Sequence, residues 1–162
     1  MSEEKPYLEG KRILAVDDEE DVLSTIEEIL DNAEVDKALD YSTASEKINK
    51  YRYDLAILDI MGVDGLKLLE EAVEKNIPAI MLTAHAMNYD TLMASIRKGS
   101  IAFLPKDKLG ELDRLLEHIM VAHDAGKSTW KVLFDELGEF FCEKFGDKMA
   151  KVEWICRQKG QV

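Results

Sequence analysis

The sequence predicts a doubly wound α/β domain built on a five-stranded parallel sheet, followed by a short α-helical C-terminal extension. Three observations lead there. Five strand-length apolar runs alternate with five longer stretches of helical spacing, the pattern of βα units whose crossovers run through helices. Four of the five runs are nearly continuously apolar, as strands covered on both faces have to be. The 162 residues allow one such domain and a modest appendage, with a core large enough to need no disulfide staples.

Residues 12–16 (RILAV) read as the first strand. Residues 20–31 follow as a helix with Val22, Leu23, Ile26, Ile29 and Leu30 on one stripe. The second run, 35–39 (VDKAL), is more polar and suits a sheet edge. Residues 43–51 then open on Thr43-Ala44-Ser45-Glu46, a capping-box pattern that would satisfy orphan backbone donors. The third strand is 54–58 (DLAIL), and residues 65–74 present Leu66, Leu68, Leu69, Ala72 and Val73 as its helix. The fourth strand is 78–82 (PAIML), with residues 88–98 helical through Leu92, Met93 and Ile96 until Gly99 ends them. The fifth is 101–104 (IAFL), and residues 108–123 carry Leu109, Leu112, Leu115, Leu116, Ile119 and Met120.

Charge narrows the partners. With 21 Lys+Arg against 33 Asp+Glu the chain carries −12, which disfavours phosphate-rich nucleic acid and anionic membrane surfaces. The acid is concentrated: residues 1–125 hold a net −13 and residues 126–162 a net +1. No apolar run approaches the length of a membrane span, and the first ten residues, MSEEKPYLEG, lack the pattern of a signal peptide. A soluble, cytoplasmic protein is expected. Cys142 and Cys156 form no disulfide framework and are expected as free thiols at half-buried helix positions.

Doubly wound sheets bind ligands beyond the carboxyl ends of their strands, so the residues delivered there matter most. Strand one ends in Asp17-Asp18, strand three in Asp59, strand four in Thr83, and strand five near Lys106. Three carboxylates within a few ångström repel one another, and a hard divalent cation such as Mg²⁺ relieves them through oxygen ligands while keeping sites for phosphate. A carboxylate beside such a cation can attack phosphorus. Lys106 could pair with phosphoryl oxygens, the Thr83 hydroxyl could bond one of them, and Ala84 leaves room for the group to enter.

The segments ILAVDDE (13–19), DLAILDI (54–60), MLTA (81–84) and AFLPK (102–106) resemble, in order and at strand ends, the receiver domain of bacterial response regulators over about residues 10–123. The resemblance implies a flavodoxin-like sheet of order 2-1-3-4-5 and a receiver domain over residues 1–125. It implies Asp59 as the acceptor of a phosphoryl group from a sensor histidine kinase or phosphotransfer protein. Asp17, Asp18, Asp59 and the backbone carbonyl of Met61 would hold Mg²⁺. Thr83 would be the switch hydroxyl, Lys106 the phosphate-pairing lysine and Phe103 the aromatic switch. His85 stands where the family can influence water access to the phosphoryl group. Output would pass to a downstream protein partner, and the chain would be a phosphoacceptor signalling protein rather than an enzyme with an external substrate. The chain departs from the family in a shorter, proline-free loop, Ile60-Met61-Gly62-Val63-Asp64-Gly65, and in placing Pro105 before Lys106.

Plainer roles exist for these residues. Asp17 and Asp18 alone would read as helix N-caps, and Phe103 as core. His118 and His123, five apart, do not share a helix face for a metal. A haloacid-dehalogenase-type phosphatase also uses an Asp nucleophile, but needs a second Asp two residues on, where Met61 stands. The main alternative is a receiver-fold scaffold that is not phosphorylated and acts through its aromatic C-terminal segment.

That segment, residues 126–162, holds six of the chain's twelve aromatic residues. Trp130, Leu133, Phe134, Leu137, Phe140 and Phe141 fall on one helical stripe, Gly146 interrupts, and Met149, Val152 and Ile155 continue as a second helix. Trp154 and Phe145 complete the aromatic set. So apolar a face must pack on something: the receiver itself, a second copy in a homodimer, or a partner. In the family, signals leave through the fourth helix, fifth strand and fifth helix. A DNA-binding output module is not expected in a segment this short and nearly neutral.

Overall fold

A computed structural model describes residues 6–84, 89–148 and 150–152. Strands β1 (Arg12–Val16), β2 (Glu34–Ala38), β3 (Leu55–Asp59), β4 (Ala79–Thr83) and β5 (Ala102–Pro105) alternate with helices α1 (Glu20–Ile29), α2 (Tyr41–Lys50), α3 (Gly65–Glu74), α4 (Tyr89–Arg97) and α5 (Leu112–Asp124). All five strands are parallel, in the order β2-β1-β3-β4-β5. Helices α1 and α5 contact each other, and α2, α3 and α4 contact in series, which gives a helical layer on each face of the sheet.

Burial explains the apolar runs. Every residue of β3 and β4 is buried, as are all of β5 and four of the five in β1. Strand β2, with one buried residue, is an edge. Its outward Asp36 pairs with Lys47 and accepts a hydrogen bond from Tyr53 Oη at 2.6 Å, and these partners hold the Asp36 carboxyl below its ordinary pKa despite the opposing cost of burial.

Two expectations for the receiver helices are corrected. Helix α2 starts at Tyr41, with Asp40 as N-cap: its carboxylate accepts from the Thr43 N–H at 2.7 Å, so Thr43 sits inside the first turn. An extended aspartate satisfies that donor directly, and the Thr43–Glu46 box is not needed. The fifth helix is shorter than its apolar pattern, because residues Lys106–Glu111 form a tight 3-10 run before α5 begins. Gly110 lies in that run and weakens α-helical propagation.

Beyond α5, helix α6 (Thr129–Phe145) is capped by Ser128, whose Oγ accepts from the Lys131 N–H. It packs against α5 and against β5, the second edge of the sheet. Covering an edge in this way also removes a pairing liability. One residue inside the helix, Leu137, has non-helical angles (φ −122°, ψ 22°) and divides it in two. A 3-10 turn, Gly146–Lys148, follows, and Val152 is buried in the core. Met149, Trp154, Ile155 and Cys156 lie outside the described residues. Cys142 is exposed rather than half-buried.

Candidate functional site

Parallel register brings the strand ends together. Val16 pairs with Leu58, so Asp17 follows β1 beside the point where Asp59 ends β3; Asp59 pairs with Leu82, and Thr83 with Pro105. Asp17, Asp59 and Thr83 are all buried, at 0%, 4% and 2% exposure. The peptide bond before Pro105 is trans, and Lys106 follows it directly.

Lys106 joins the carboxylates. Its Nζ lies 2.9 Å from Asp17 Oδ2, 3.3 Å from Asp59 Oδ1 and 3.2 Å from Glu19 Oε2. Burial alone would lower the ammonium pKa; the close contact with the Asp17 carboxylate and the charges of Asp59 and Asp17 outweigh it and raise the value. Asp17 is raised above its ordinary range because burial, aided by the nearby Asp59 charge, outweighs the Lys106 contact and the bond from the Glu19 N–H. Its Oδ2 is buried and makes no well-angled hydrogen bond. A buried carboxylate oxygen with no better partner than one ammonium suits a hard cation.

Among the described residues, the carboxylates of Asp17, Asp18 and Glu19 bring ligand oxygens within 4.8 Å of one another. This set differs from the sequence expectation by including Glu19 and leaving Asp59 outside the cluster, joined to it through Lys106. Glu19 directly follows the acidic pair, so its residue type was visible, but its reach to Lys106 was not.

Glycines make the short loop after β3 work. Asp59 Oδ2 accepts from the Gly62 N–H at 3.1 Å, and a Cβ at Gly62 would lie 2.5 Å from the Asp18 carboxylate. A Cβ at Gly65 would overlap the Asp59 carbonyl oxygen. Asp64, in the left-handed region at φ 56°, turns the chain into α3. The Met61 side chain is 73% exposed and points no function inward. If the acidic cluster holds Mg²⁺, Gly62→Ala is expected to push Asp18 off its position and weaken that binding about tenfold with little change in stability, since Asp18 is exposed and can yield. Titration of the metal-dependent fluorescence or heat would show it.

Phe103 is fully buried, and its ring lies 5.2 Å from that of Phe141 in α6. His85 lies outside the described residues.

A doubly wound sheet of this order, with carboxylates from β1 and β3 and a lysine from β5 meeting at one edge, defines a receiver-type α/β domain. The family model described as "Response regulator receiver domain" matches residues 13–120. The chain belongs to this family of two-component signalling proteins. It is 37% identical over 118 residues to the two-component response regulator ARR18 of Arabidopsis thaliana, covering 68% of this chain and 18% of that protein. It is 34% identical over 119 residues to ORR24 of Oryza sativa subsp. indica, covering 68% and 19%. The chain thus spans about a fifth of the length of these relatives. Among solved structures, the CheY-like receiver protein of Methanospirillum hungatei matches with TM-score 0.57 and 28% identity, covering 67% of this chain and 95% of that one. The receiver domain of NtrX from Brucella abortus matches with TM-score 0.54 and 32% identity, covering 63% and 94%.

Proposed function

We propose that this chain accepts a phosphoryl group on Asp59, with Mg²⁺ held by Asp17, Asp18, Asp59 and the Met61 carbonyl, and signals through protein contacts. The observation that carries the reading is Lys106, whose ammonium reaches both Asp17 and Asp59, with the buried Thr83 ending the neighbouring strand. A carboxylate oxygen of Asp59 attacks phosphorus while the bond from phosphorus to a phosphohistidine nitrogen of a sensor kinase or phosphotransfer protein breaks. The electron pair leaves with the imidazole, which then takes a proton. Lys106 neutralises the phosphoryl oxygens that collect there, and the Thr83 hydroxyl donates to one of them. The cation supplies further charge neutralisation for the transfer. The chemistry is self-phosphorylation and hydrolysis, with no external substrate turned over.

The −12 charge and the cover over β5 favour a protein as downstream partner, and no helix among the described residues is long and apolar enough to cross a membrane. A cytoplasmic setting fits transfer from a sensor histidine kinase or a phosphotransfer protein. The test is intact mass after incubation with acetyl phosphate and Mg²⁺. Wild type is expected to gain one phosphoryl group and Asp59→Asn none. An unmodified wild type, or an equal adduct on the variant, refutes the assignment and leaves the scaffold role through the aromatic segment.

A further inference from the structure

The amino ends of β3 and β4 border a cavity at the opposite end of the sheet from Asp59 and Thr83. Its volume of about 340 Å³ is that of a small-molecule site. Ile48 and Ile77, both buried, give it an apolar floor, and Tyr51 and Tyr53 are its aromatic wall. Three cations line it: Lys50 from the last turn of α2, Arg52 from the link into β3, and Lys75 from the C-cap of α3. No carboxylate lines it among the described residues, although the chain has 33 Asp+Glu. Three other cavities are each lined by two or more carboxylates. This one is cationic in an acidic chain.

Lysines near helix C-termini offset the negative end of the helix dipole, and that accounts for Lys50 and Lys75. It leaves Arg52 unexplained, since Arg52 lies beyond α2 and makes no ion pair among the described residues. The wall is held before any ligand arrives. Arg12, the first residue of β1, places its guanidinium 5.6 Å from the Tyr51 ring centroid and 5.5 Å from that of Tyr53. The two rings meet edge to face at 6.5 Å, and the Tyr53 hydroxyl donates to Asp36 at 2.6 Å. A wall fixed in this way loses little freedom on binding. The Lys50 ammonium lies 5.4 Å from the Tyr51 ring centroid, so positive charge and apolar surface adjoin.

These two features select the ligand. Three cations without a facing carboxylate suit more charge than a single carboxylate brings. A phosphate monoester brings about −1.5 to −2 charge and three acceptor oxygens, and a guanidinium takes two of those oxygens side by side. The floor and wall reward a body that leaves water. We propose that this cavity binds a small organic phosphate, a phosphate monoester on a compact aromatic or apolar body. Arg52, Lys50 and Lys75 take the phosphate, and Ile48, Ile77 and Tyr51 take the body. The assignment does not depend on the phosphoacceptor role, because no residue of the cavity belongs to the Asp59 site.

The test is amide NMR of the full chain titrated with phenyl phosphate in the absence of divalent cation. Saturable shifts are expected at residues 48–53 and 75–77, with half-saturation at about 1 mM. Inorganic phosphate, which lacks the body, is expected to bind about tenfold more weakly, and phenol, which lacks the charge, to give no saturable shift there. Arg52→Gln is expected to weaken phenyl phosphate about tenfold and Lys75→Gln about threefold. Both residues are exposed, and unchanged shifts elsewhere in the spectrum show that each variant is folded. The proposal is overturned if phenyl phosphate gives no saturable shift up to about 20 mM, or if its shifts fall at residues 17–19 and 106 instead. Equal binding of inorganic phosphate removes the organic body, and wild-type affinity in Arg52→Gln removes the cavity as the site.

Discussion

Lys106→Met is expected to slow phosphorylation of Asp59 by acetyl phosphate about 10²- to 10³-fold, the range seen when a charge-stabilising donor is removed from a pre-organised site. Methionine keeps the length and apolar stem of the lysine, so the change isolates the ammonium. In the unmodified protein that ammonium lies within 3.3 Å of two buried carboxylates. With Asp59 as the proposed acceptor, the same cation would stand beside the oxygens that collect charge. The variant also leaves Asp17 and Asp59 facing each other without a cation between them. Breaking such a pair is costly, but Lys106 keeps 17% of its side chain in water, and a loss of about 2 kcal/mol at neutral pH is expected without Mg²⁺. The pH dependence has a defined sign. Asp17 is already raised by burial and the Asp59 charge, and loss of Lys106 raises it further. The folded carboxyl then binds more protons than the unfolded one, so stability falls as pH rises through the window above the unfolded carboxylate value. Urea denaturation of variant and wild type should therefore agree more closely at pH 5 than at pH 7.5. A gap that widens toward low pH, or a phosphorylation rate equal to wild type, would show that Lys106 does not serve this charge.

The prominence of Lys106 was legible because strand order forces it. Once RILAV, DLAIL, PAIML and IAFL are read as covered parallel strands, their carboxyl ends must share an edge. The residues just past them, Asp17, Asp59, Thr83 and Lys106, must then meet. Even the small offsets follow physically. Strands β3 and β4 run one residue beyond the apolar pattern, to Asp59 and Thr83, because the backbone ladder does not stop where side-chain polarity begins. Contacts that depend on a distant segment left no local mark. The stack of Phe103 on Phe141 joins residues in β5 and α6, and the role of Gly62 appears only when Asp18 is seen against it. The break at Leu137 has no proline or glycine at the residue itself, although Gly138 follows. The aromatic stripe showed that the extension must pack, while its seat on β5 and α5 came only from the assembled fold.

Removal of divalent cation by a chelator is expected to lower the melting temperature of wild type at pH 7.5 by about 5–10 °C, and to leave Asp17→Asn unchanged. A ligand at about 100 times its dissociation constant stabilises by about 2.7 kcal/mol, and about 2–4 °C per kcal/mol holds for a chain of this size. The effect centres on Asp17 because its Oδ2 is buried at 0% residue exposure with the Lys106 ammonium as its near partner. Glu19, with 62% of its side chain in water, is replaceable by solvent, so Glu19→Gln should keep most of the cation effect. Protons and cation compete for the Asp17 carboxylate. Its raised pKa means that metal-free stability falls as pH rises above the unfolded carboxylate value. Cation binding strengthens over the same window as the proton leaves. The stabilisation by Mg²⁺ must therefore grow between pH 5 and pH 7.5 in wild type and show no such growth in Asp17→Asn. Thermal melts at both pH values, with and without Mg²⁺, separate this from general screening of the −12 charge. Screening would stabilise both proteins alike and would follow ionic strength rather than the identity of the ion. Equal stabilisation of Asp17→Asn by Mg²⁺ would remove Asp17 from the cation site and leave its burial beside Asp59 serving Lys106 alone.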